Sequence, residues 1–167
     1  MVTPHLTTRQ SVRRLALLLT DRSATQRQRL VAKKILRPGR AEGRLIGGCL
    51  SLLVATLGTP WEIETDRSIL FLEDAHEEPY AVDRMLTQLE QAGKFRSVRG
   101  LVFGTFKRGK SLFPGKIEKV IREKFSKFKG PILWGLRFGH CSDPLYIPLG
   151  GVGRIEGRRL MIEKGIF

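Results

Sequence analysis

Cysteine and long apolar runs are scarce in this 167-residue chain, and their scarcity excludes several classes of protein. Two cysteines, Cys49 and Cys141, are too few for a disulfide framework, so we expect a reduced, cytoplasmic protein. The longest apolar stretches, for example residues 50–57, are far shorter than a membrane-spanning helix. The first residues also lack the basic and apolar regions of a signal peptide. We therefore expect no membrane partner.

Histidine is equally scarce, and its spacing argues against a metal site. The three histidines, His5, His76 and His140, show no paired spacing along the chain. Neither cysteine lies close in sequence to a second metal ligand, apart from the adjacent pair His140 and Cys141. Structural zinc sites need three or four such ligands at short spacings. The sequence therefore predicts no metal.

Acidic residues are outnumbered by basic ones, 16 against 30, which gives a net charge of +14. The excess lies in residues 1–45 and 94–129, whereas residues 60–90 are acidic. One hypothesis is a basic module that binds nucleic acid or an anionic polymer, which a salt series with an oligonucleotide would test. Few aromatic side chains interleave with the basic ones to stack on bases. Solvated helix faces explain the charge better, and nucleic acid is not the expected partner.

The order of apolar segments predicts an α/β fold. Strand-like runs alternate with amphipathic, helix-like runs, and short strands separated by glycines close the chain. We expect a mixed, mostly parallel sheet flanked by helices, with short antiparallel strands added. The domain proper is predicted to span 41–167. Predicted helices cover 9–20, 50–57, 79–92 and 116–128, and predicted strands cover 30–36, 68–72, 98–103, 132–136, 146–149, 153–156 and 159–162.

Two of the predicted strands end in residues that can carry chemistry. The run 68–72 ends in Glu73 and Asp74, and the run 132–136 leads to Gly139 and His140. Carboxyl ends of strands are where open α/β proteins place their sites. A carboxylate that orients a histidine supplies two of the three members of a Ser-His-acid triad. Asp74 is expected to shape the turn rather than act in the triad.

The third member of a triad, a nucleophilic serine on a tight turn, has no candidate in the sequence. A strained Gly-x-Ser-x-Gly elbow is the usual setting for such a serine. Ser51 falls inside a predicted helix, Ser68 begins a strand, Ser97 follows a basic stretch, and Ser142 adjoins His140. The nucleophile is therefore predicted to be absent from this chain.

Residues 104–111 match the phosphate-binding pattern G-x-x-x-x-G-K-S, with Lys110 and Ser111 at its end. A true P-loop continues into a helix, but Pro114 and Gly115 interrupt the first turn here. No apolar strand ending in an aspartate follows to hold magnesium. We interpret the segment as a basic surface loop, and binding of ATP with magnesium would be needed to revive the nucleotide hypothesis.

Several stretches together resemble the LD-carboxypeptidases, the muramoyltetrapeptide carboxypeptidases, a serine peptidase family that also includes microcin-immunity proteins. The resemblance runs from about Leu36 to Phe167 and includes Leu72-Glu73-Asp74 and Phe138-Gly139-His140. It also includes Gly47-Gly48, although the family usually has Asn where this chain has Cys49. This chain therefore lacks the amide side chain that the family usually carries there. The matching stretches are 43–53, 57–60, 69–77, 83–89, 100–104, 138–140 and 149–150.

The resemblance implies a two-domain serine peptidase of which this chain is the C-terminal, swivelling β/β/α part. Glu73 would be the triad acid and His140 the base, with the serine on the N-terminal domain. The reaction would release terminal D-alanine from a murein tetrapeptide through an acyl-enzyme, in cytoplasmic peptidoglycan recycling. No metal or organic cofactor is implied.

The same resemblance bears on boundaries and partners. Residues 1–40 would be the end of the N-terminal domain plus the interdomain linker, followed by the C-terminal domain at 41–167. Expected partners are a peptidoglycan-derived peptide and the missing Ser-bearing domain, with a homodimer as an open alternative. The substrate stays open between a murein tetrapeptide and a microcin-like amide. The search for a serine on a tight turn and the family resemblance both indicate that this chain lacks the nucleophile. The chain alone is therefore expected to be inactive.

Overall fold

The computed structural model describes residues 9–20, 30–107 and 115–164. Within these residues it contains four helices and eight strands. The helices are α1 (Arg9–Thr20), α2 (Leu50–Ala55), α3 (Pro79–Gln91) and α4 (Lys116–Lys124). The strands are β1 (Leu30–Val31), β2 (Lys34–Arg37), β3 (Arg40–Cys49), β4 (Ser68–Ala75), β5 (Gly100–Lys107), β6 (Ile132–Trp134), β7 (Val152–Glu156) and β8 (Arg159–Lys164).

All eight strands belong to one mixed sheet in the order β1-β8-β7-β3-β4-β5-β6-β2. The central strands β3, β4, β5 and β6 are parallel. The outer strands β7, β8 and β1 on one side, and β2 on the other, are added antiparallel. The predicted α/β fold with a mixed sheet and short antiparallel strands is therefore confirmed.

The sheet curls until its two edges meet. Strands β1 and β2 lie at opposite edges, yet only two residues, Ala32 and Lys33, separate them in the chain. Three Cα steps span at most about 11 Å, whereas the edges of a flat eight-stranded sheet would be roughly 34 Å apart. Gly100 of β5 also closely approaches Ile155 of β7, although two strands separate them in the sheet. The sheet is therefore a barrel with a seam between β1 and β2.

Apolar residues form one cluster inside the barrel and a second one between the sheet and the helices. Leu30, Leu45, Phe71 and Leu160 belong to the inner cluster, and Leu72 belongs to the outer one. The outer cluster also receives the apolar stripe of α3, which confirms the predicted core face of that helix: Val82, Met85, Leu86 and Leu89. Strand β4 is buried on both faces, because it runs between these two clusters.

Some local predictions differ from the structure. Helix α1 forms as predicted, but Val12 and Leu19 of its apolar stripe are exposed rather than packed inward. The predicted strand at 30–36 is divided into β1 and β2, so residues assigned to the segment before the domain form both edges of the sheet. Residues 146–149 form no strand, and Pro148 within them cannot donate a ladder hydrogen bond.

Among the helices that the structure describes, none is long and apolar enough to cross a membrane.

Candidate active site

Glu73 is a buried carboxylate near the carboxyl end of β4. Its side chain is only 6% exposed, and its residue pairs in register with Cys49 at the end of β3. Side chains alternate along a strand, so Glu73 lies on the same side of β4 as Phe71, which belongs to the cluster inside the barrel. The acid is thus held on a rigid strand at the mouth of the barrel.

His140 supplies both hydrogen-bond donors to one oxygen of this carboxylate. Its backbone N–H and its ring Nδ1 each lie 2.9 Å from Oε2 of Glu73. A carboxylate only accepts, so Nδ1 carries the proton and Nε2 of the neutral ring is left as an acceptor. The histidine side chain is 45% exposed. The structure thus brings the two sequence-predicted site residues together in an arrangement suited to a general base.

Gly139 makes this pairing possible. Its φ is +80°, and a Cβ atom built on it would lie 2.0 Å from Oε2 of Glu73. Any larger residue would therefore meet both backbone strain and a clash with the carboxylate. The chain turns here in the left-handed region so that the amide of His140 can point at Glu73. Glycine is required by the geometry at this position.

Phe138 anchors the segment that carries His140. Its ring packs edge-on against Phe71 with centroids 5.4 Å apart, and its backbone carbonyl accepts a hydrogen bond from the N–H of Thr105. A Cβ atom on Gly104 would lie 2.6 Å from this ring. The pairing of β4 with β5 shifts between Leu72 and Asp74, which places an extra β5 residue opposite Glu73. Bulges of this kind commonly occur beside active sites.

Gly104 therefore has a structural role that the phosphate-binding pattern does not explain. It begins the G-x-x-x-x-G-K-S match, but it is a buried residue of β5 that makes room for Phe138. The end of the match, including Lys110 and Ser111, lies in 108–114, outside the described residues.

Asp74 is also buried but points away from His140. Its Oδ2 accepts the backbone N–H of Ser51, 2.9 Å away, and its Oδ1 accepts the N–H of Ala75, 2.7 Å away. These contacts join the end of β4 to the first turn of α2. Asp74 is therefore a strand residue whose side chain holds the β3–α2 junction, and its expected role in shaping the turn after β4 stays a prediction.

Cys49 lies at the junction of β3 and α2 and does not contact His140 in any recorded hydrogen bond. Its Sγ is 3.1 Å from Oγ of Ser51 and 3.5 Å from Oδ1 of Asp74. Burial raises the pKa of the Cys49 thiol; a hydrogen bond with Ser51 opposes this shift, and the charges of Asp74 and Glu73 add to it. The thiol is therefore neutral at neutral pH, which does not suit a nucleophile.

A cavity of about 440 Å³ opens beside the Glu73–His140 pair. Its walls include the backbone of Gly47 and Gly48 and, as a second wall, largely apolar side chains from the segment 144–149. Sequence reasoning missed the second wall because it predicts a strand there; the two prolines in the segment, Pro144 and Pro148, are the signal that could have indicated a loop. The lining residues are Gly47, Gly48, Phe71, Glu73, Phe138, Gly139, His140, Cys141, Pro144, Leu145, Tyr146, Ile147 and Leu149.

No serine, threonine or cysteine side chain in 30–107 or 115–164 forms a hydrogen bond with His140. Ser51, the candidate nearest to the strand ends, bonds instead to Asp74 and Cys49. Nor does the described part of the chain hold a group of three or more His, Cys, Asp or Glu side chains that could bind a metal ion.

Comparison with known proteins identifies the family. Residues 42–155 match the family model described as the LD-carboxypeptidase C-terminal domain. The chain belongs to the LD-carboxypeptidase family. A probable murein peptide carboxypeptidase of Bacillus subtilis (strain 168) is 42% identical over 139 residues, which are 78% of this chain and 43% of that protein. The murein tetrapeptide carboxypeptidase of Pseudomonas aeruginosa is 31% identical over 72% of this chain and 40% of its own length. The chain thus spans less than half the length of these LD-carboxypeptidase relatives.

Solved LD-carboxypeptidase structures share the fold. A muramoyltetrapeptide carboxypeptidase from Oxalobacter formigenes matches with a TM-score of 0.78 and 29% identity, over 93% of this chain and 54% of that one. An MccF-like protein from Bacillus anthracis matches with a TM-score of 0.68 and 29% identity, over 78% of this chain and 42% of that one. For the microcin C7 self-immunity protein MccF, one solved active-site mutant replaces a serine, an asparagine and a lysine.

Proposed function

We propose that this chain supplies the acid and the base of a serine-type LD-carboxypeptidase site, with Glu73 as the acid and His140 as the base. The observation that carries the proposal is the 2.9 Å contact between Nδ1 of His140 and Oε2 of Glu73. It fixes the tautomer in which Nε2 can accept a proton. The second contact runs from the backbone N–H of His140 to the same oxygen and fixes the backbone position from which the ring projects.

In the proposed mechanism, Nε2 of His140 takes the proton from a serine hydroxyl as its oxygen attacks the carbonyl before terminal D-alanine. Glu73 stays ionised and stabilises the imidazolium that forms. The imidazolium then gives its proton to the leaving amine of D-alanine, and an acyl-enzyme remains. Water, deprotonated by the same Nε2, attacks the ester and releases the shortened peptide and the free serine.

The substrate we propose is a peptidoglycan-derived tetrapeptide, processed in the cytoplasm during peptidoglycan recycling. The names of the Bacillus, Pseudomonas and Oxalobacter relatives, all murein or muramoyl peptide carboxypeptidases, support this class. A microcin-like amide is the alternative within the family, because MccF structures share the fold. Both substrates need the same acid and base, so the Glu73–His140 geometry serves either.

We further propose that the chain is inactive alone and acts with a Ser-bearing domain. Two observations support this: the chain spans 43% of its Bacillus relative, and none of the described Ser, Thr or Cys side chains bonds to His140. When a triad loses its nucleophile, the residual rate is at most about 10³–10⁴ over water, and that rate needs an oxyanion hole.

The test joins the chain to the N-terminal domain of the Bacillus relative and measures release of D-alanine from a murein tetrapeptide. We expect no release by the 167-residue chain, release by the fused protein, and loss of release in the fused protein with His140→Ala. Circular dichroism would confirm that each protein is folded. Robust release by the unfused chain would contradict the proposal, and so would full activity of the fused His140→Ala variant.

A further inference from the structure

Asp74 is a buried carboxylate that the Glu73–His140 pair does not use. The residue is 3% exposed. Because side chains alternate along β4, Glu73 faces the barrel interior and Asp74 faces the outer side, where the helices pack. A buried carboxylate is costly unless hydrogen bonds compensate for the lost water. The partners of Asp74 therefore indicate what its burial achieves.

All the recorded partners of Asp74 except its own neighbour Ala75 lie in one short stretch between β3 and α2. The backbone N–H of Ser51 donates to Oδ2 over 2.9 Å, which satisfies a donor that the first turn of a helix leaves free. The hydroxyl of Ser51 and the thiol of Cys49 each lie 3.5 Å from Oδ1. The thiol and the hydroxyl also contact each other over 3.1 Å. We call Cys49, Ser51 and Asp74 the junction cluster.

The junction cluster lies directly after the glycine wall of the cavity. Gly47 and Gly48 line the same cavity as His140 and lead straight into Cys49. Gly47 is pressed against β4, since a Cβ atom there would lie 1.9 Å from the carbonyl oxygen of Phe71. Gly48, by contrast, has no atom within 4 Å of such a Cβ position. The wall is therefore fixed by β4 on one side of Gly48 and by the junction cluster on the other.

We propose that Asp74 is a positioning residue: it clamps the β3–α2 junction and thereby holds the Gly47–Gly48 wall at a fixed distance from His140. Its relevance to catalysis rests on the proposed function of the cavity as the place where the peptide binds. The clamp itself depends only on the hydrogen bonds of one carboxylate. Glu73 and Asp74 thus act on opposite faces of β4. Glu73 orients the base, His140, and Asp74 positions the Gly47–Gly48 wall of the same cavity.

A residue that merely stabilises the fold would have a different signature. Loss of such a residue raises the exchange of backbone amides throughout the sheet, because global unfolding becomes more frequent. Loss of a clamp raises exchange at 47–51 and leaves the β7–β8 hairpin protected, because that hairpin pairs with residues 40–44 at the other end of β3. The two roles can therefore be separated without any measurement of catalysis.

The experiment compares amide hydrogen exchange and thiol alkylation in the 167-residue chain and its variants Asp74→Ala and Asp74→Asn. Because Asp74 and Ser51 also shift the pKa of the Cys49 thiol, each alkylation rate is divided by the thiolate fraction taken from the pH dependence of that protein. We expect exchange at 47–51 and alkylation of Cys49 to rise about 10-fold or more in Asp74→Ala, with exchange at 152–164 changed less than about 2-fold. Asp74→Asn keeps one acceptor oxygen, so its rise should be smaller. The matched control, Asp83→Asn, removes an exposed carboxylate of α3 that pairs with Lys124, and both readouts should stay unchanged.

Two outcomes in Asp74→Ala would overturn the clamp. One is amide exchange at 47–51 and alkylation of Cys49 that both stay within about 2-fold of the parent chain; the other is an increase in amide exchange that is equally large at 152–164. If both Asp74 variants fail to fold, Ser51→Ala takes their place, because it removes the hydroxyl contacts of the cluster and keeps the backbone N–H. The alkylation rate of Cys49 per thiolate should then rise about 2- to 5-fold, and an unchanged rate per thiolate would overturn the clamp.

A kinetic arm uses the protein fused to the Ser-bearing domain. There the Asp74→Asn variant should raise KM for the tetrapeptide more than it lowers kcat, because the wall that contacts the peptide is loosened while the base is kept. A fused parent protein without activity would defeat the proposed function but leave the exchange and alkylation results valid. A variant that lowers kcat alone would contradict a role in positioning the wall.

Discussion

Oε2 of Glu73 accepts two hydrogen bonds from His140, one from its backbone N–H and one from its ring Nδ1. The backbone contact fixes the position of the His140 backbone, and the ring contact fixes the orientation of the imidazole. With one oxygen accepting both donors, a change in the carboxylate should disturb the position and the tautomer of the base together. This pair is therefore the first target for a test.

Replacing Glu73 with Gln should abolish activity with little loss of packing. The amide has a similar shape and its oxygen can still accept from Nδ1, but an uncharged group does not stabilise the imidazolium that forms during the reaction. In the protein fused to a Ser-bearing domain we expect kcat to fall about 10⁴-fold, the size of the loss in serine hydrolases without a functional orienting carboxylate.

Proton NMR of the 167-residue chain provides an independent measurement, since the Nδ1 proton of His140 should give a downfield signal that moves upfield in Glu73→Gln, where the acceptor is no longer charged. Glu156→Gln is the control, because that carboxylate pairs with Arg40 on the exposed surface. A Glu73→Gln protein with parental kcat would show that His140 needs no orienting acid.

Gly139→Ala should separate the acid from the base. The new Cβ atom would meet both a φ of +80° and the carboxylate of Glu73 at 2.0 Å. We expect a loss of more than about 2 kcal/mol in the free energy of unfolding, measured in urea, and loss of the Nδ1 signal.

Gly157→Ala is the matched control for that substitution. Gly157 also has a positive φ, +57°, but no atom lies within 4 Å of its Cβ position. Its cost should be about 1 kcal/mol, from the backbone alone. Equal losses for both variants would mean that the close approach of Gly139 to Glu73 has no energetic consequence.

Alkylation of Cys49 should need a more alkaline solution than that of an ordinary thiol. Burial, with the nearby charges of Asp74 and Glu73, raises the pKa of this thiol despite the hydrogen bond with Ser51. The thiolate is the reactive form, so the folded protein should reach half its maximal rate at a higher pH than the same cysteine in urea. Mass spectrometry of the peptide containing Cys49 follows the reaction, and a lower midpoint in the folded protein would contradict the described environment.

Glu118 should tie the edge strand β2 to α4. Burial alone would raise the pKa of its carboxyl, but hydrogen bonds from Lys34 and Arg122, with their positive charges, outweigh burial and hold the pKa below its usual range. We expect Glu118→Gln to cost about 1 kcal/mol in the free energy of unfolding at neutral pH. Because the folded pKa is depressed, this contribution is present above the unfolded pKa and is lost as pH falls through the folded one.

Urea unfolding at several pH values measures that contribution. Glu123→Gln is the control on the same helix, since Glu123 and Lys119 form an exposed pair 3.8 Å apart, and its effect should stay within about 0.5 kcal/mol. A Glu118→Gln effect that grows as pH falls would contradict the assignment.

The alternation from β4 to β6 could be predicted from sequence because each element has a local signal. The run before Glu73 is continuously apolar, and α3 has an apolar stripe bounded by Pro79 and Gly93. The pairing of Glu73 with His140 follows from the rule that parallel strands place their carboxyl ends at one edge. Each of these inferences needs only neighbouring residues and one general rule of topology.

Strand β3 and the closure of the barrel could not be predicted in this way. Glycines and charges interrupt β3, which weakens its strand signal, yet Gly43 and Gly47 are there because the backbone of β4 comes too close for any Cβ atom. Closure depends on pairings such as Leu30 with Leu160, which are 130 positions apart in the sequence. Such requirements arise from tertiary contacts and leave no local pattern.

The seam between β1 and β2 has a practical consequence for where the protein can be shortened. A protein that began at residue 42, where the family match begins, would lose both strands. Strands β6 and β8 would then expose unpaired N–H and C=O groups on two sides, and the leucines beneath them would meet water. Exposed edges of this kind template pairing between copies. Such a fragment would be prone to aggregation. Residues 30–37 pair with both edge strands and so prevent edge-to-edge association between molecules.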